Sequence, residues 1–142
     1  MIYMLVKEVM SKNPVTINFK QTVLYACKIY KENKVGCIIV TDEDRCIGLV
    51  TERDIIERTI CEGRDPKTTQ IFEIMSSDLK TVHALDNLEK AIEIMKQNNI
   101  KKLPVLKEES IIGIITVTDI SEARPDLSKR FIDSWVKTRW SD

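Results

Sequence analysis

The chain has 142 residues, 43% of them hydrophobic and 31% charged, with 22 basic and 22 acidic side chains and a formal net charge of zero. That profile suits a globular domain, or two small halves sharing a core, and excludes a disordered chain. The neutral balance argues against nonspecific nucleic-acid binding, which needs a positive field. No apolar run reaches the length of a membrane span, so no membrane partner is expected.

In chain order, residues 1–7 are too short and lack the basic flank of a signal peptide, so a cytosolic location is expected. Residues 6–11 form a short segment followed by a turn at Asn13-Pro14, then an extended piece over Val15, Thr16 and Ile17. Val23, Ala26, Cys27, Ile29 and Tyr30 recur at helical spacing, and the helix ends near Asn33 and Lys34. Residues 37–40 are a short apolar run suited to a buried strand. A polar turn at 42–45 leads to β-prone residues 46–51, so the two strands read as a hairpin. A second helix begins at residues 54–58. Residues 61–70, with Gly63, Pro66 and several charges, read as a linker.

The same order then returns. A short segment at 71–76 and an extended piece at 80–82 precede a helix carrying Leu88, Ala91, Ile92, Ile94 and Met95. Asp86, three residues before Glu89, is the expected start of its capping box. Strands at 102–106 and 111–116 flank a turn at 107–110, and a helix begins at Asp119. Arg124-Pro125-Asp126 interrupts that helix. In the tail, residues 123–142, Leu127, Phe131 and Trp135 repeat every four positions, with Ile132, Val136 and Trp140 on an adjacent stripe. They predict an amphipathic helix that packs on its own domain or across a subunit interface.

Shifting residues 6–55 by 65 positions lays them on 71–120 without a gap, and 15 of the 50 pairs are identical, against roughly 3 expected at average composition. The domain reading is therefore repeat one at 6–60, a linker at 61–70, repeat two at 71–122, and the tail. Either half alone would bury too little surface to be comfortably stable, so the halves are expected to pack together. Cys27, Cys37, Cys46 and Cys61 show no metal-ligand spacing and read as free thiols. No metal site is expected. His83, the only histidine, has no nucleophile or metal partner in the pattern and reads as a surface or edge residue.

The polar chemistry is concentrated in Gly48-x-x-Thr51-x-x-Asp54 and its twin Gly113-x-x-Thr116-x-x-Asp119, each placed where a strand gives way to a helix. Thr followed three residues later by an acid is an ordinary helix start. A helix N-terminus also suits a phosphate, and an Asp one turn in can accept the two hydroxyls of a ribose. Glycine in a strand permits close approach of another backbone or a ligand.

These motifs, with Val9-Met10-Ser11, the early Thr16 and Thr81, and the strand Lys102-Leu103-Pro104-Val105, make the chain resemble a tandem pair of CBS domains, over about residues 6–122. The resemblance implies an α+β fold of two β-α-β-β-α units packed sheet to sheet with pseudo-twofold symmetry. It implies clefts between them for AMP, ADP, ATP or S-adenosylmethionine, held as regulatory ligands rather than obligatory cofactors. In that family the motif Asp holds ribose and the Thr assists with ribose or phosphate, which implies those roles for Asp54, Asp119, Thr51 and Thr116, with Gly48 and Gly113 completing the motif. Base contacts through backbone fall near Thr16, Ile17, Ile38 and Ile39 in one copy and Thr81, Val82, Leu103 and Pro104 in the other. Arg53, Lys101 and Lys102 are the implied phosphate neighbours. The family pattern of a strand Pro with a basic residue two before it is met by Lys102 and Pro104 but not by Cys37 and Ile39, so two unequal sites are expected.

The resulting expectation is a stand-alone nucleotide-sensing module, homodimeric, regulating a partner protein and having no catalytic residues. The alternative is an interaction or dimerisation module with vestigial clefts. A nucleotide hydrolase is disfavoured, since no general base, metal cluster or P-loop is visible.

Overall fold

The computed structural model describes residues 4–127 and 129. The elements are a one-turn helix α1 (Val6–Val9), β1 (Ser11–Lys12), β2 (Thr16–Asn18), α2 (Val23–Asn33), the hairpin β3 (Cys37–Asp42) and β4 (Arg45–Thr51), and α3 (Glu52–Ile55), which continues as a π-helical turn (Ile56–Ile60). A 3-10 turn (Ile71–Glu73) leads to β5 (Val82–His83), α4 (Leu88–Asn98), the hairpin β6 (Lys102–Lys107) and β7 (Ser110–Thr116), and α5 (Val117–Ala123). The expected order of strand, helix, strand, strand, helix is present twice. The tail beyond α5 that carries Phe131, Trp135 and Trp140 lies outside the described residues. Among the described residues, no helix is long and apolar enough to cross a membrane.

The chain divides into two compact units whose limits are offset from the sequence repeats. Pro14–Leu79 form a central unit, and the residues up to Asn13 together with those from Lys80 onward form a terminal unit. Each unit thus joins the body of one repeat to the opening segment of the other. In the terminal unit Val6 N–H donates to the Asp86 carbonyl at 2.9 Å and Lys7 N–H to that of Ala84 at 3.0 Å. There β1 also pairs antiparallel with β7, Ser11 opposite Ile114. In the central unit the matching bonds are Ile71 N–H to Gln21 O at 2.8 Å and Phe72 N–H to Phe19 O at 3.1 Å, while Leu49 and Ser76 exchange two bonds of 2.9 Å.

This exchange explains both motif glycines. A Cβ on Gly48 would stand 2.5 Å from Met75 Sδ and 3.0 Å from the Ser76 carbonyl; on Gly113, 2.5 Å from Met10 Sδ and 2.9 Å from the Ser11 carbonyl. The close approach foreseen for these positions is made by the exchanged segment.

Each unit has its own core. Ile17, Ile38, Val40, Val50, Val23 and Ala26 pack with Ile71 and Ile74 in the central unit. Val82, Leu103, Val105, Ile115, Leu88, Ala91 and Met95 pack with Val6 in the terminal one. The exchanged Val6 and Ile71 are fully buried, and each such side chain contributes about 1.5–3 kcal/mol.

Helix ends follow local chemistry. Thr22 Oγ1 accepts from Tyr25 N–H at 3.2 Å, and Asn87 Oδ1 from Lys90 N–H at 2.9 Å. The cap expected at Asp86 is therefore one residue displaced. Asn87 has the extended N-cap backbone and caps as well as Asp does, while Asp86 Oδ2 accepts from His83 N–H at 2.9 Å. His83, half-buried on β5, accepts from Leu85 N–H at Nδ1, as Asn18 Oδ1 does from Lys20 N–H. Helices α2 and α4 both end on left-handed residues, Lys34 (φ 48°) and Asn99 (φ 53°).

Tyr30 ties α2 to β4 by donating its hydroxyl to the Val50 carbonyl at 2.6 Å. Burial, and then the neighbouring Cys37, push its ionisation well above the ordinary value of 10.0. A raised folded-state value means that stability is fully present below pH 10.0 and falls as pH rises further, where only the unfolded chain ionises. Tyr30→Phe is expected to cost about 1 kcal/mol at neutral pH and to flatten the alkaline decline. Denaturant titrations at neutral and alkaline pH check this, and identical pH slopes for the two proteins would refute it.

Candidate functional site

Each hairpin delivers its last residue, a threonine, directly to a helix start. Thr51 Oγ1 accepts from Asp54 N–H at 3.2 Å, and Thr51 N–H donates to Asp54 Oδ2 at 2.9 Å. Thr116 and Asp119 repeat the pattern at 3.1 and 3.0 Å. The plain helix-start reading is thus realised in both copies as a reciprocal capping box. The cap engages Oδ2 and locks the carboxylate in one orientation, leaving Oδ1 for another partner.

That second partner differs between the units. Ser11 Oγ lies 3.2 Å from Asp119 Oδ1 and 3.4 Å from Oδ2. Asp54 Oδ1 instead lies 3.8 Å from Arg58 Nε, and the Asp54 side chain is only 14% exposed. Arg58 Nη1 donates to the carbonyls of Ile74 and Met75 at 3.1 and 3.2 Å, so it also grips the exchanged segment.

Strand register sorts the remaining predicted residues. Directly paired residues point to one face of a sheet. Thr16, Ile39 and Leu49 form one row and Cys37 and Thr51 the next. In the terminal unit Ser11, Ile114 and Pro104 form a row and Lys102 and Thr116 the next. These rows lie on the face away from each core. Ile17, Ile38, Val82 and Leu103 point into the cores and can offer a ligand only their backbone. Thr81 is half-buried just before β5.

The basic residues are distributed unevenly. Lys102 stands opposite Thr116 in the register where Cys37 stands opposite Thr51, as the repeat alignment requires. Arg53, expected near phosphate, has an 83% exposed side chain and binds Glu57 at 2.7 Å. Lys101 is exposed, and its carbonyl accepts from Val117 N–H. The arginine beside the central carboxylate is Arg58, whose place in the other repeat is taken by Ala123. Among the described residues, a basic side chain thus stands beside each constellation, from a strand start in one unit and one helical turn past the Asp in the other. Arg58 was legible from its i,i+4 spacing to Asp54. Ser11 was visible as an identical repeat position, but nothing local placed it beside Asp119.

The sequence model of the CBS domain matches residues 6–60 and 71–126. The CBS domain-containing protein YhcV of Bacillus subtilis is 33% identical over 116 residues, 82% of either chain. Among solved structures, the CBS domain pair of protein MJ0100 in complex with 5′-methylthioadenosine and S-adenosyl-L-methionine shares 27% identity at a TM-score of 0.74, over 86% of this chain and 96% of that one. A hexameric CBS-CP12 protein from bloom-forming cyanobacteria shares 34% identity at a TM-score of 0.72, over 84% of this chain and 67% of that one.

Proposed function

Because the chain belongs to the CBS domain family as a tandem pair, we propose that it is a regulatory module binding AMP, ADP, ATP or S-adenosylmethionine at the Thr51/Asp54 and Thr116/Asp119 constellations. The observation that carries this reading is the division of labour within each carboxylate. One oxygen is held by the helix cap, and the other, beside Ser11 Oγ or Arg58 Nε, retains acceptor capacity for a ribose hydroxyl. A group already locked by its own backbone bonds loses little freedom on binding. A carboxylate facing ribose, with Arg58 or Lys102 nearer the phosphates, also avoids like-charge repulsion.

In this reading the chain performs no chemistry. The ligand favours one conformation by its differential affinity, and a partner protein reads the change. Self-association into a homodimer belongs to the same proposal, and light scattering checks it. Calorimetric titration with AMP, ATP, S-adenosylmethionine and NAD tests the binding itself. Saturable heat with at least one adenosyl ligand is expected. Silence with all of them at millimolar concentration, or turnover of ATP by the pure protein, would overturn the proposal.

One observation favours the rival, an interaction module with empty sites: the caps satisfy Thr and Asp without any ligand. The basic side chains separate the two. Arg58→Gln is expected to weaken AMP binding at the central constellation about tenfold, roughly 1.4 kcal/mol, and adenosine far less, while Arg53→Ala changes neither. Equal losses for AMP and adenosine would mean that Arg58 acts only by holding Ile74 and Met75.

A further inference from the structure

The terminal unit contains a cavity of about 350 Å³ that shares no residue with the Thr116/Asp119 constellation. Its floor is apolar, built from Met10, Ala84 and Ile112, and its rim carries Lys7, Lys12 and Lys107. It sits at the turn end of the β6–β7 hairpin, whereas Lys102 and Thr116 lie at the opposite end, about 16 Å away along the strands.

The chain supplies its own comparison for this place. The central unit makes the same backbone bonds there: Lys7 N–H to Ala84 O corresponds to Phe72 N–H to Phe19 O, and Ala84 N–H to Leu106 O corresponds to Phe19 N–H to Thr41 O. In the central unit the position is occupied by two aromatic rings, Phe19 and Phe72, with centroids 6.2 Å apart. In the terminal unit Ala84 replaces Phe19 and Lys7 replaces Phe72, and the space is open. The rim gains charge, with Lys12 for Ser77 and Lys107 for Asp42, against one change in the other direction, Leu85 for Lys20. None of the three lysines is ion-paired among the described residues.

We infer that this cavity is a second kind of binding site, which takes a small organic anion with an apolar body of about the size of a phenyl ring. The missing Phe19 ring gives the size of the body, since the same backbone elsewhere in the chain accommodates that ring. Three unbalanced ammonium groups set the sign of the head group and concentrate anions at the mouth. The apolar floor gives nothing to a bare inorganic anion, so affinity requires both parts of the ligand.

The test is a titration of the full chain, followed by NMR at Ala84, Ile112 and Lys12, with phenyl phosphate and 3-phenylpropionate as probes. Inorganic phosphate and benzyl alcohol are the charge-only and ring-only controls. Saturable shifts are expected with the probes, and binding of either control at least about tenfold weaker. Ala84→Phe, which restores the ring of the other repeat, is expected to weaken the probes at least about tenfold and to leave AMP titration unchanged. Lys12→Ser with Lys107→Asp alters only exposed positions and is expected to produce the same loss, should the core variant fold poorly. No saturable shift at millimolar probe, unchanged affinity in both variants, or inorganic phosphate binding as tightly as phenyl phosphate would each overturn the inference.

Discussion

Asp119→Ala is expected to weaken adenosyl-ligand binding in the terminal unit about a hundredfold, roughly 2.7 kcal/mol, the scale of a lost hydrogen bond to a charged group. The same change removes the acceptor for Thr116 N–H, so a stability loss of about 1 kcal/mol accompanies it. Asp119→Asn separates the two effects. An amide oxygen can still accept from Thr116 N–H, so the melting temperature stays near that of the parent, while the lost charge still weakens the ligand. In the central unit Asp54→Ala also leaves Arg58 without the carboxylate 3.8 Å from it. Calorimetry with AMP beside thermal melts reads both quantities. Alanine variants that melt earlier yet bind as the parent does would show that the carboxylates are caps and nothing more, and would favour the interaction module.

Gly113→Ala is expected to cost about 2–3 kcal/mol, at the upper end of overpacking, and to lower the melting temperature by about 4–10 °C. The added Cβ meets Met10 Sδ at 2.5 Å and the Ser11 carbonyl at 2.9 Å. A methionine can swing away, but a backbone carbonyl engaged in a strand pair cannot. Met10→Ala in the same chain therefore recovers only part of the loss. Gly63→Ala is the control: its φ is +71° with nothing within 4 Å, so it pays only the left-handed penalty of about 1–2 kcal/mol. Because Ser11 also donates to Asp119, Gly113→Ala should disturb ligand affinity as well as stability. Full rescue by Met10→Ala would show that the carbonyl contact yields, and would refute the expected rigidity of the exchanged segment.

Elements were legible where the determining contacts are close in sequence. The β-prone runs at residues 46–51 and 111–116 became β4 and β7, and the helical spacing from Val23 and Leu88 became α2 and α4. The displaced start Asn87 for Asp86 reflects two adjacent residues of equal capping ability, a competition decided by backbone angles, and α3 and α5 begin two residues before Asp54 and Asp119 because Thr51 and Thr116 take the caps. Among site residues, Thr51, Asp54, Thr116 and Asp119 met as expected because a capping box spans only three residues. Arg53, a candidate phosphate neighbour, is exposed and paired with Glu57 one turn on.

By itself, then, the sequence determined the strand–helix order and the Thr/Asp pairs, consequences of local periodicity and short-range hydrogen bonding, and its self-similarity and motifs gave away the two repeats and their family resemblance. Tertiary structure alone decided which opening segment joins which body. A gapless repeat makes residues 6–13 and 71–78 equally suited by pattern to either sheet, so no local preference separates the two pairings. Only the folded chain places Met10 and Ser11 against Gly113, and Met75 and Ser76 against Gly48. From that single choice come the Ser11–Asp119 contact, the grip of Arg58 on Ile74 and Met75, and a cavity in one unit where two phenylalanines stand in the other.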